Sequence, residues 1–522
     1  MANKKNKNTG ADTKFGFSVI MGVFALVMLC IFPVVYHDFY FDILETKYQF
    51  YCISAISMIV LMAGYGLWTG VLIDGLKEFK LKDEIKKLSA ADWAMIVFWF
   101  AHVVSWLLCD YRWEAFWGTS GRYNGVFLIT IYMIVYFLVT RFFEFRKWYL
   151  DAFLAVSLFV CFFGITDFFK GDLLGFKVHM MDEQKSVYTS TFGNINTYTI
   201  YAGTVLCVAM MLFTQAKEIK HLIWYFVVMM LSAVALIMGN SDSAYLTLAA
   251  LFGFSPLYLF RTKTGMRRYL ASVAAFLTAT VFVGWICETY AENVYGISGV
   301  FNLLVGFGAL PGATAALWLV VGGWSVAFMK KKEEKKEEVS RVFVYAWMLV
   351  IAAVAAVVAY VLYDANIAGN AEKYAAVSRY VVFNDDWGTS RGWAWIRTMQ
   401  LYNHILTVPQ KMFGYGADTL QLLMMQYFPP KGNVVFDSVH NEYLHFLVTT
   451  GLVGMISYIV FLGASVIRMM KQMKDRPEVL TVMIVIAAYA VQAVVNINLP
   501  VVFPLIFQLL AMGLAKAPEK EK

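Results

Sequence analysis

Long apolar runs separated by polar segments dominate the hydrophobic pattern of this chain. A helix needs about 20 apolar residues to cross the core of a bilayer. Fourteen runs of roughly this length lie near residues 15–36, 49–73, 91–109, 125–143, 148–166, 197–214, 220–238, 243–260, 270–287, 303–329, 341–363, 443–467, 479–495 and 499–515. Their length and continuity exclude spanning strands. The pattern therefore predicts an all-α fold, a polytopic membrane helix bundle of about fourteen transmembrane helices.

Lys and Arg residues concentrate in alternate segments between the predicted spans. With the N-terminus in the cytoplasm, the inner segments hold 31 of the 43 Lys and Arg residues. Loops that carry these residues stay on the cytoplasmic side of a membrane. We therefore expect both termini to be cytoplasmic. The run 15–36 is longer than the core of a signal peptide and no small-residue cleavage site follows it, so it is interpreted as a retained first span.

The predicted spans divide the chain into four parts. Residues 1–14 form a cytoplasmic tail, and 15–363 hold transmembrane helices 1–11. Residues 364–442 form a large extracytoplasmic loop, and 443–522 hold transmembrane helices 12–14 with a cytoplasmic tail. The loop contains too many aromatic residues for a disordered linker. We therefore expect the loop to fold.

Two short helices are predicted within the large loop. They lie near residues 391–406 and 417–427, the second directly after the turn Gly414-Tyr415-Gly416. Helices of this kind are expected to pack on the ends of the spans. This position makes the loop the first place to look for a functional site.

Composition agrees with a membrane protein and removes several functional classes. Hydrophobic residues make up 60% of the chain and charged residues 15%, whereas about a quarter of a soluble protein is charged. The net charge of +7 is not arranged as a basic stripe with aromatics, so no nucleic-acid partner is expected. The six cysteines lie in or beside apolar runs and are interpreted as buried hydrophobic residues. Ionisable groups within the spans are rare, with His102 the main one, which disfavours an ion-coupled transporter.

His440 is the outstanding candidate for chemistry, at the junction of the large loop and the twelfth span. Asp437 or Ser438 is the expected N-cap, which would place His440 and Asn441 in the first helical turn. Free backbone N–H groups and the helix dipole favour phosphate there, and a histidine can accept a proton near neutral pH. The alternative interpretation is an interfacial histidine followed by a favourable first-turn acid, Glu442.

Arginines are scarce in the predicted outer segments, so Arg122, Arg391 and Arg397 are the other candidates. Arg391 and Arg397 are six residues apart on one predicted helix and should face different ways. Their alternative role is contact with lipid headgroups. The chain has no nucleotide-binding, metalloprotease or serine-hydrolase motif. Because nucleotide-activated substrates are not supplied outside the membrane, an enzyme there needs a substrate with its own leaving group, such as a lipid-linked phosphate.

Four stretches agree in order and spacing with one family pattern over roughly residues 120–455. They are Arg122-Tyr123-Asn124-Gly125; Thr191-Phe192-Gly193-Asn194-Ile195-Asn196; Ser390-Arg391 with Trp395, Pro409 and Gly414-Tyr415-Gly416; and His440-Asn441-Glu442-Tyr443-Leu444 with Leu447, Gly451 and Gly454. Together they resemble the bacterial O-antigen ligase and polymerase superfamily of lipid-linked glycan transferases. The region similar to O-antigen ligases spans about residues 220–455.

The resemblance implies transfer of a glycan from an undecaprenyl-pyrophosphate carrier to a hydroxyl of an acceptor glycan or glycolipid, on the outer face of the bacterial cytoplasmic membrane. The partners are then these substrates and the membrane lipids, and neither metal nor cofactor is expected. Arg391 would stabilise the departing pyrophosphate, helped by the helix end at Asn441. His440 would take the proton of the acceptor, or orient the pyrophosphate if Glu442 is the base.

The remaining expected substrate-binding residues are Arg122, Arg397 and Asn194. One departure from the family pattern follows the seventh predicted span, where the family often has Ser-Arg-Gly. This chain has Asn240-Ser241-Asp242-Ser243-Ala244, so the role of that arginine is not carried over. Two other functional classes stay open, a flippase for lipid-linked oligosaccharides and a non-catalytic assembly scaffold. The sequence does not distinguish a ligase from a polymerase, which differ only in the acceptor.

Overall fold

Helices form most of the chain in a computed structural model, which describes residues 2–119, 121–330, 338–429 and 436–516. Side chains are described from residue 13 onward and are not described for 328–330. A two-stranded antiparallel hairpin, β1 (Tyr188–Thr189) and β2 (Gly193–Asn194), is the only sheet in this part of the chain. The predicted all-α class is therefore confirmed at the level of a mostly helical fold with almost no strand.

The helices before the large loop follow one another with short connections. They are α1 (Ala2–Leu26), α2 (Ile43–Trp68), α3 (Val71–Glu78), α4 (Leu81–Lys86), α5 (Ala90–Leu108), α6 (Arg112–Trp117), α7 (Val126–Phe142), α8 (Trp148–Phe168), α9 (Asp182–Lys185), α10 (Ile195–Gln215), α11 (Ile219–Met238), α12 (Ala244–Phe254), α13 (Pro256–Leu259), α14 (Lys263–Thr289), α15 (Gly299–Val305), α16 (Leu310–Lys330) and α17 (Val342–Asn366).

The large loop and the C-terminal part contain eight more α-helices. They are α18 (Ser378–Val381), α19 (Trp387–Gln400), α20 (Val408–Phe413), α21 (Leu420–Tyr427), α22 (Glu442–Thr449), α23 (Gly451–Gln472), α24 (Pro477–Gln492) and α25 (Phe503–Leu514).

Eleven helical stretches among the described residues are long and apolar enough to cross a membrane. The described residues also contain three shorter apolar helical stretches, Val126–Phe142, Ala244–Leu259 and Phe503–Leu514. Each of the fourteen predicted runs overlaps one of these stretches. The chain is thus an integral membrane protein by length and composition of its helices. The number of fourteen spans and their orientation stay predictions.

Helix α10 is the centre of the bundle. Its whole apolar window is buried, and it packs against α8, α11, α12, α14 and α24. By contrast, none of the apolar window of α17 is buried within the chain. An apolar helix with no protein neighbours on most of its surface is stable in lipid, so α17 lies at the periphery of the bundle.

The large loop folds around its own hydrophobic core, which is separate from that of the bundle. Trp393, Leu401, Leu423 and Phe436 are buried there and pack toward Val448 of α22. The two predicted loop helices exist, as α19 with the π-turn Leu401–Ile405, and as α21. The prediction of a folded loop is therefore confirmed.

Helix α20 was not predicted, although its N-terminus has a recognisable signal. Thr407 and Gln410 form a capping box, in which the Gln410 side chain accepts the Thr407 backbone N–H at 3.0 Å. Pro409 occupies the first turn, where its missing N–H costs nothing. This helix leads directly into the Gly414-Tyr415-Gly416 turn.

The sequence predicted one continuous twelfth span over residues 443–467, and this prediction is wrong in one respect. The helix breaks between α22 and α23. The Tyr415 and Gly416 N–H groups donate to the Val448 and Thr449 carbonyls at 3.0 and 3.2 Å. Gly451 has a φ of +72°, and a Cβ there would collide with the backbone of Met412 and Phe413. The turn of the large loop therefore inserts against the helix and holds the break open.

Candidate functional site

His440 lies outside helix α22 and directly precedes its cap. Its backbone has a φ of +52°, and its N–H donates to Ser438 Oγ at 3.2 Å. The N-cap is Asn441, whose side-chain oxygen accepts the Leu444 N–H at 3.0 Å. The predicted cap at Asp437 or Ser438, with His440 and Asn441 in the first turn, is therefore wrong. The left-handed conformation of His440 redirects the chain, so that the helix begins two residues later.

Two arginines from distant parts of the chain lie close enough to His440 to affect its titration. Burial and, to a smaller extent, the positive charges of Arg391 and Arg122 lower the pKa of His440 to about 4, while Asp437 opposes them. Its Nδ1 atom is buried without a hydrogen-bond partner among the described residues. Above about pH 5 the imidazole is therefore neutral and has a nitrogen available.

Arg122 is fixed by the segment that leads into α22. Its Nε and Nη2 atoms donate to the two carboxylate oxygens of Asp437 at 2.6 and 3.1 Å. The backbone N–H groups of Arg122 and Asn124 both donate to Asp418 Oδ2, at 2.6 and 3.0 Å. These contacts join the Arg-x-x-Gly stretch before α7 to the large loop, across almost 300 residues of sequence.

Arg391 begins the right-handed part of α19. The three residues before it, Gly388, Thr389 and Ser390, have φ values of 57°, 60° and 69°. Two consecutive non-glycine residues in this region are unfavourable, and such strain is concentrated at functional sites. Arg391 Nη1 donates to the Gly388 carbonyl at 2.9 Å, whereas its buried Nε has no hydrogen-bond partner among the described residues. The guanidinium thus keeps donor capacity for a ligand.

Arg397 lies apart from His440 and has different neighbours. It pairs with Asp385 at 3.5 Å and stacks over the rings of Trp393 and Phe428, at 5.6 and 5.8 Å from their centroids. The six-residue spacing predicted that Arg391 and Arg397 face different ways, and their separate contacts agree with this. The described contacts of Arg397 suit a stabilising role in the core of the large loop.

Glu442 and Asn194, two of the expected substrate-binding residues, both make hydrogen bonds within the protein. Glu442 is 1% exposed and accepts hydrogen bonds from Tyr458 Oη at 2.7 Å and from Tyr489 Oη. Its carboxyl group is therefore directed toward α23 and α24. Asn194 caps α10, where its side chain accepts the Asn196 N–H at 2.8 Å.

The part of the chain that holds Arg391 and His440 also matches a known family. Residues 299–459 match the family model described as O-antigen ligase. The match confirms the resemblance to the O-antigen ligase and polymerase superfamily. Together with the apolar helices, it indicates an integral membrane glycan transferase of the O-antigen ligase or polymerase type. No curated protein matches the chain.

The O-antigen ligase stretch does not contain the whole site. Arg122 and Asn194 lie outside residues 299–459, whereas Arg391, His440 and Asn441 lie inside it. Arg122, from the preceding bundle, forms an ion pair with Asp437 in the matched stretch and so adds a positive charge near His440. Of the two arginines that affect His440, Arg391 comes from the matched stretch and Arg122 from the preceding bundle.

Sequence reasoning missed the contacts of three acidic residues near this site, of which Asp437 had been expected only as a helix cap. Asp437 and Asp418 fix Arg122, and Asp418 Oδ1 lies 4.0 Å from His445 Nε2. Asp242 occupies the stretch where the superfamily often has arginine. It accepts a hydrogen bond from Tyr380 Oη at 3.3 Å, and its charge raises the pKa of Arg391 against the effect of burial. No local motif marks these carboxylates, because their partners are far away in sequence.

No group of three or more His, Cys, Asp and Glu residues is placed to hold a metal ion in the described part of the chain. All six cysteines are free thiols that are buried or partly buried.

Proposed function

We propose that this chain transfers a glycan from an undecaprenyl-pyrophosphate carrier to an acceptor hydroxyl on the outer face of the membrane. The observation that carries the proposal is the half-buried His440, whose buried Nδ1 has no hydrogen-bond partner among the described residues and whose pKa is lowered by the charges of Arg391 and Arg122. Guanidinium groups bind phosphate oxygens with charge-assisted hydrogen bonds, and a histidine can accept a hydroxyl proton. One site therefore offers both groups that glycan transfer from a pyrophosphate requires.

The acceptor oxygen attacks the anomeric carbon, and the bond from that carbon to the pyrophosphate oxygen breaks. The bonding electrons leave with the pyrophosphate, whose growing negative charge is stabilised by Arg391 and Arg122. The proton of the acceptor hydroxyl goes to His440. Since Glu442 is engaged with two tyrosines, its contacts favour His440 as the base.

The charges of the site couple proton transfer to substrate binding. Without substrate, burial and the charges of the two guanidinium groups hold the pKa of His440 low and make it a weak base. A bound pyrophosphate neutralises these charges, and the pKa of His440 then rises toward its ordinary value. The base becomes strong only when the donor lipid is in place, which limits transfer to the loaded site.

Transfer by purified protein in proteoliposomes tests the proposal. With undecaprenyl-pyrophosphate glycan as donor, His440→Ala and Arg391→Ala are expected to reduce product by at least about a hundredfold. The matched controls are His404→Ala and Arg112→Ala, which remove exposed residues of the same types. Full activity of either site variant would remove that residue from the mechanism.

The same assay separates the remaining alternatives. Chain growth on a second lipid-linked glycan would identify a polymerase, and transfer to a different glycolipid would identify a ligase. Movement of the donor across the bilayer without any covalent product would instead favour a flippase and contradict the proposal.

A further inference from the structure

A second cavity lies at the opposite end of the bundle from His440. It has a volume of about 1030 Å³ and lies where α10 ends and where α11, α14, α17 and α24 begin. Glu442, beside His440, contacts Tyr489 near the other end of α24. The two sites are therefore separated by the length of a helix that is long enough to cross a membrane. The charge distribution of the sequence places this cavity on the predicted cytoplasmic face.

The cavity is strongly basic. Among the described residues that line it, seven are Lys or Arg and two are glutamates. One of these, Glu478, is paired with Arg476 at 3.4 Å. Within the described residues, Lys217, Arg341 and Lys474 form neither ion pairs nor side-chain hydrogen bonds. A further carboxylate, Asp151, pairs with Lys147 at 2.7 Å. Among the described residues the basic side chains at the cavity still outnumber the carboxylates that contact them.

Local structure fixes the walls of this cavity before any ligand binds. Arg268 Nη1 donates to the carbonyls of Thr214 and Ala216 at the end of α10, at 3.0 and 2.5 Å. The Val339 N–H donates to the Arg261 carbonyl at 2.9 Å, which holds the segment leading into α17 against the start of α14. An arrangement fixed in this way binds an anion with little loss of conformational entropy.

The size and position of the cavity indicate the class of ligand. A volume near 1000 Å³ is at the upper end for small-molecule sites and far exceeds that of one phosphate ion. Ends of apolar helices lie at the membrane interface, where basic pockets between helices bind phosphate-bearing headgroups. We propose that this cavity binds a ligand through its phosphate groups, and that the source is the headgroup of an anionic phospholipid.

Native mass spectrometry of the full-length protein in detergent tests this proposal. The probes are phosphatidylglycerol, zwitterionic phosphatidylcholine and, as a soluble phosphate source, inorganic pyrophosphate. The cavity variant is Lys217→Gln with Arg341→Gln and Lys474→Gln. The control is Lys80→Gln with Lys82→Gln and Lys86→Gln, which removes the same charge from exposed residues of the same predicted face. The single variant Arg341→Gln provides a second measurement if the triple variant does not fold.

Phosphatidylglycerol is expected to bind in preference to phosphatidylcholine, and the cavity variant should weaken its binding by about tenfold or more. The control variant should retain wild-type affinity. Binding of pyrophosphate alone, with the same loss in the cavity variant, would support the phosphate site with a soluble source. Equal binding of phosphatidylglycerol to the wild type and to the cavity variants would overturn the proposal.

Discussion

The surroundings of His440 determine the pKa of its imidazole. An unperturbed histidine has a pKa near 6.5, whereas burial and the charges of Arg391 and Arg122 lower the pKa of His440 to about 4. A protonated imidazole cannot accept the proton of the acceptor hydroxyl. The acid limit of catalysis is therefore expected well below that of an ordinary histidine.

The pH dependence of transfer measures this difference. With donor at concentrations far below saturation, kcat/KM reports the free enzyme and should stay nearly constant from pH 6.5 down to about pH 5, then fall toward pH 4. Transfer is measured in proteoliposomes, with protein integrity checked at each pH. A decline centred near pH 6.5 would contradict the described surroundings of His440.

Asp418 is a buried carboxyl group, and burial raises its pKa to about 7. A raised pKa means that the folded protein holds this proton more tightly than the unfolded chain, in which an Asp titrates near 3.9. The stability that this proton contributes is complete below about pH 4 and is lost as the pH rises to about 7. Stability should therefore decrease with pH across this window.

The variant Asp418→Asn tests this linkage, because an amide does not titrate but can still accept the Arg122 and Asn124 N–H groups. Its melting temperature, followed by tryptophan fluorescence in detergent, should decrease less between pH 5 and pH 7.5 than that of the wild type. Asp475→Asn, at an exposed carboxyl group, is the control and should keep the wild-type slope. Parallel slopes for Asp418→Asn and the wild type would show that Asp418 is already ionised at pH 5.

Residue types and motifs singled out His440 and Arg391 as candidates, and their role stays a prediction. They did not give the conformation of His440, since a left-handed residue before a cap leaves no reliable sequence signal. They also did not predict that Asp418 and Asp437 hold Arg122 in place. A carboxylate that acts through a tertiary contact cannot be recognised before the two segments are brought together.

The break between α22 and α23 is the element-scale feature that positions the site. An apolar run such as 443–467 predicts one helix, because periodicity and hydropathy do not record a loop that docks against it. Only Gly451 signals the break, and glycine is common in transmembrane helices. The Gly414-Tyr415-Gly416 turn was recognised as a motif, but its partner on the helix was not.

The variant Gly451→Ala tests the importance of the break. Alanine is strained at a φ of +72°, and its Cβ would collide with the Met412 backbone, so we expect a loss of about 2 kcal/mol or more. The matched control is Gly463→Ala in the same helix, where an added Cβ meets nothing within 4 Å. This control should be neutral or stabilised by up to about 1 kcal/mol.

Thermal unfolding in detergent measures both glycine variants, and transfer activity is measured in parallel. Gly451→Ala is also expected to lose activity, because α22, which follows His440 and Asn441 directly, carries the carbonyl groups on which the loop turn docks. If both glycine variants unfold at the wild-type temperature, the proposed close packing at Gly451 is wrong.

At the scale of the whole molecule, the sequence predicted most of the architecture. All fourteen apolar runs overlap apolar helices, because the requirement to satisfy backbone hydrogen bonds in lipid leaves little choice of structure. The central position of α10 could not be predicted in this way. Burial against protein and burial against lipid select similar residues, so hydropathy does not rank the helices by depth in the bundle.

The predicted orientation is tested by labelling single cysteines in intact cells with a membrane-impermeant maleimide. Glu372→Cys in the large loop should react from outside, whereas Lys82→Cys should react only after permeabilisation. Both positions are exposed, so access depends on the side of the membrane. The wild type reports the background from its six cysteines. The reverse pattern would invert the topology and move the His440 site to the cytoplasmic face.

The turn at Gly414–Gly416 packs directly against the helix break at Thr449–Gly451, and the two segments together form a joint between the loop and the bundle. A chimaeric protein that exchanges only the large loop with a relative would separate the two halves of this joint. An exchanged segment that keeps both halves must therefore extend through Gly451 and include the docking surface on α22. In this molecule the boundary useful for engineering lies at the break between α22 and α23 and not at residue 442, where the loop was predicted to end.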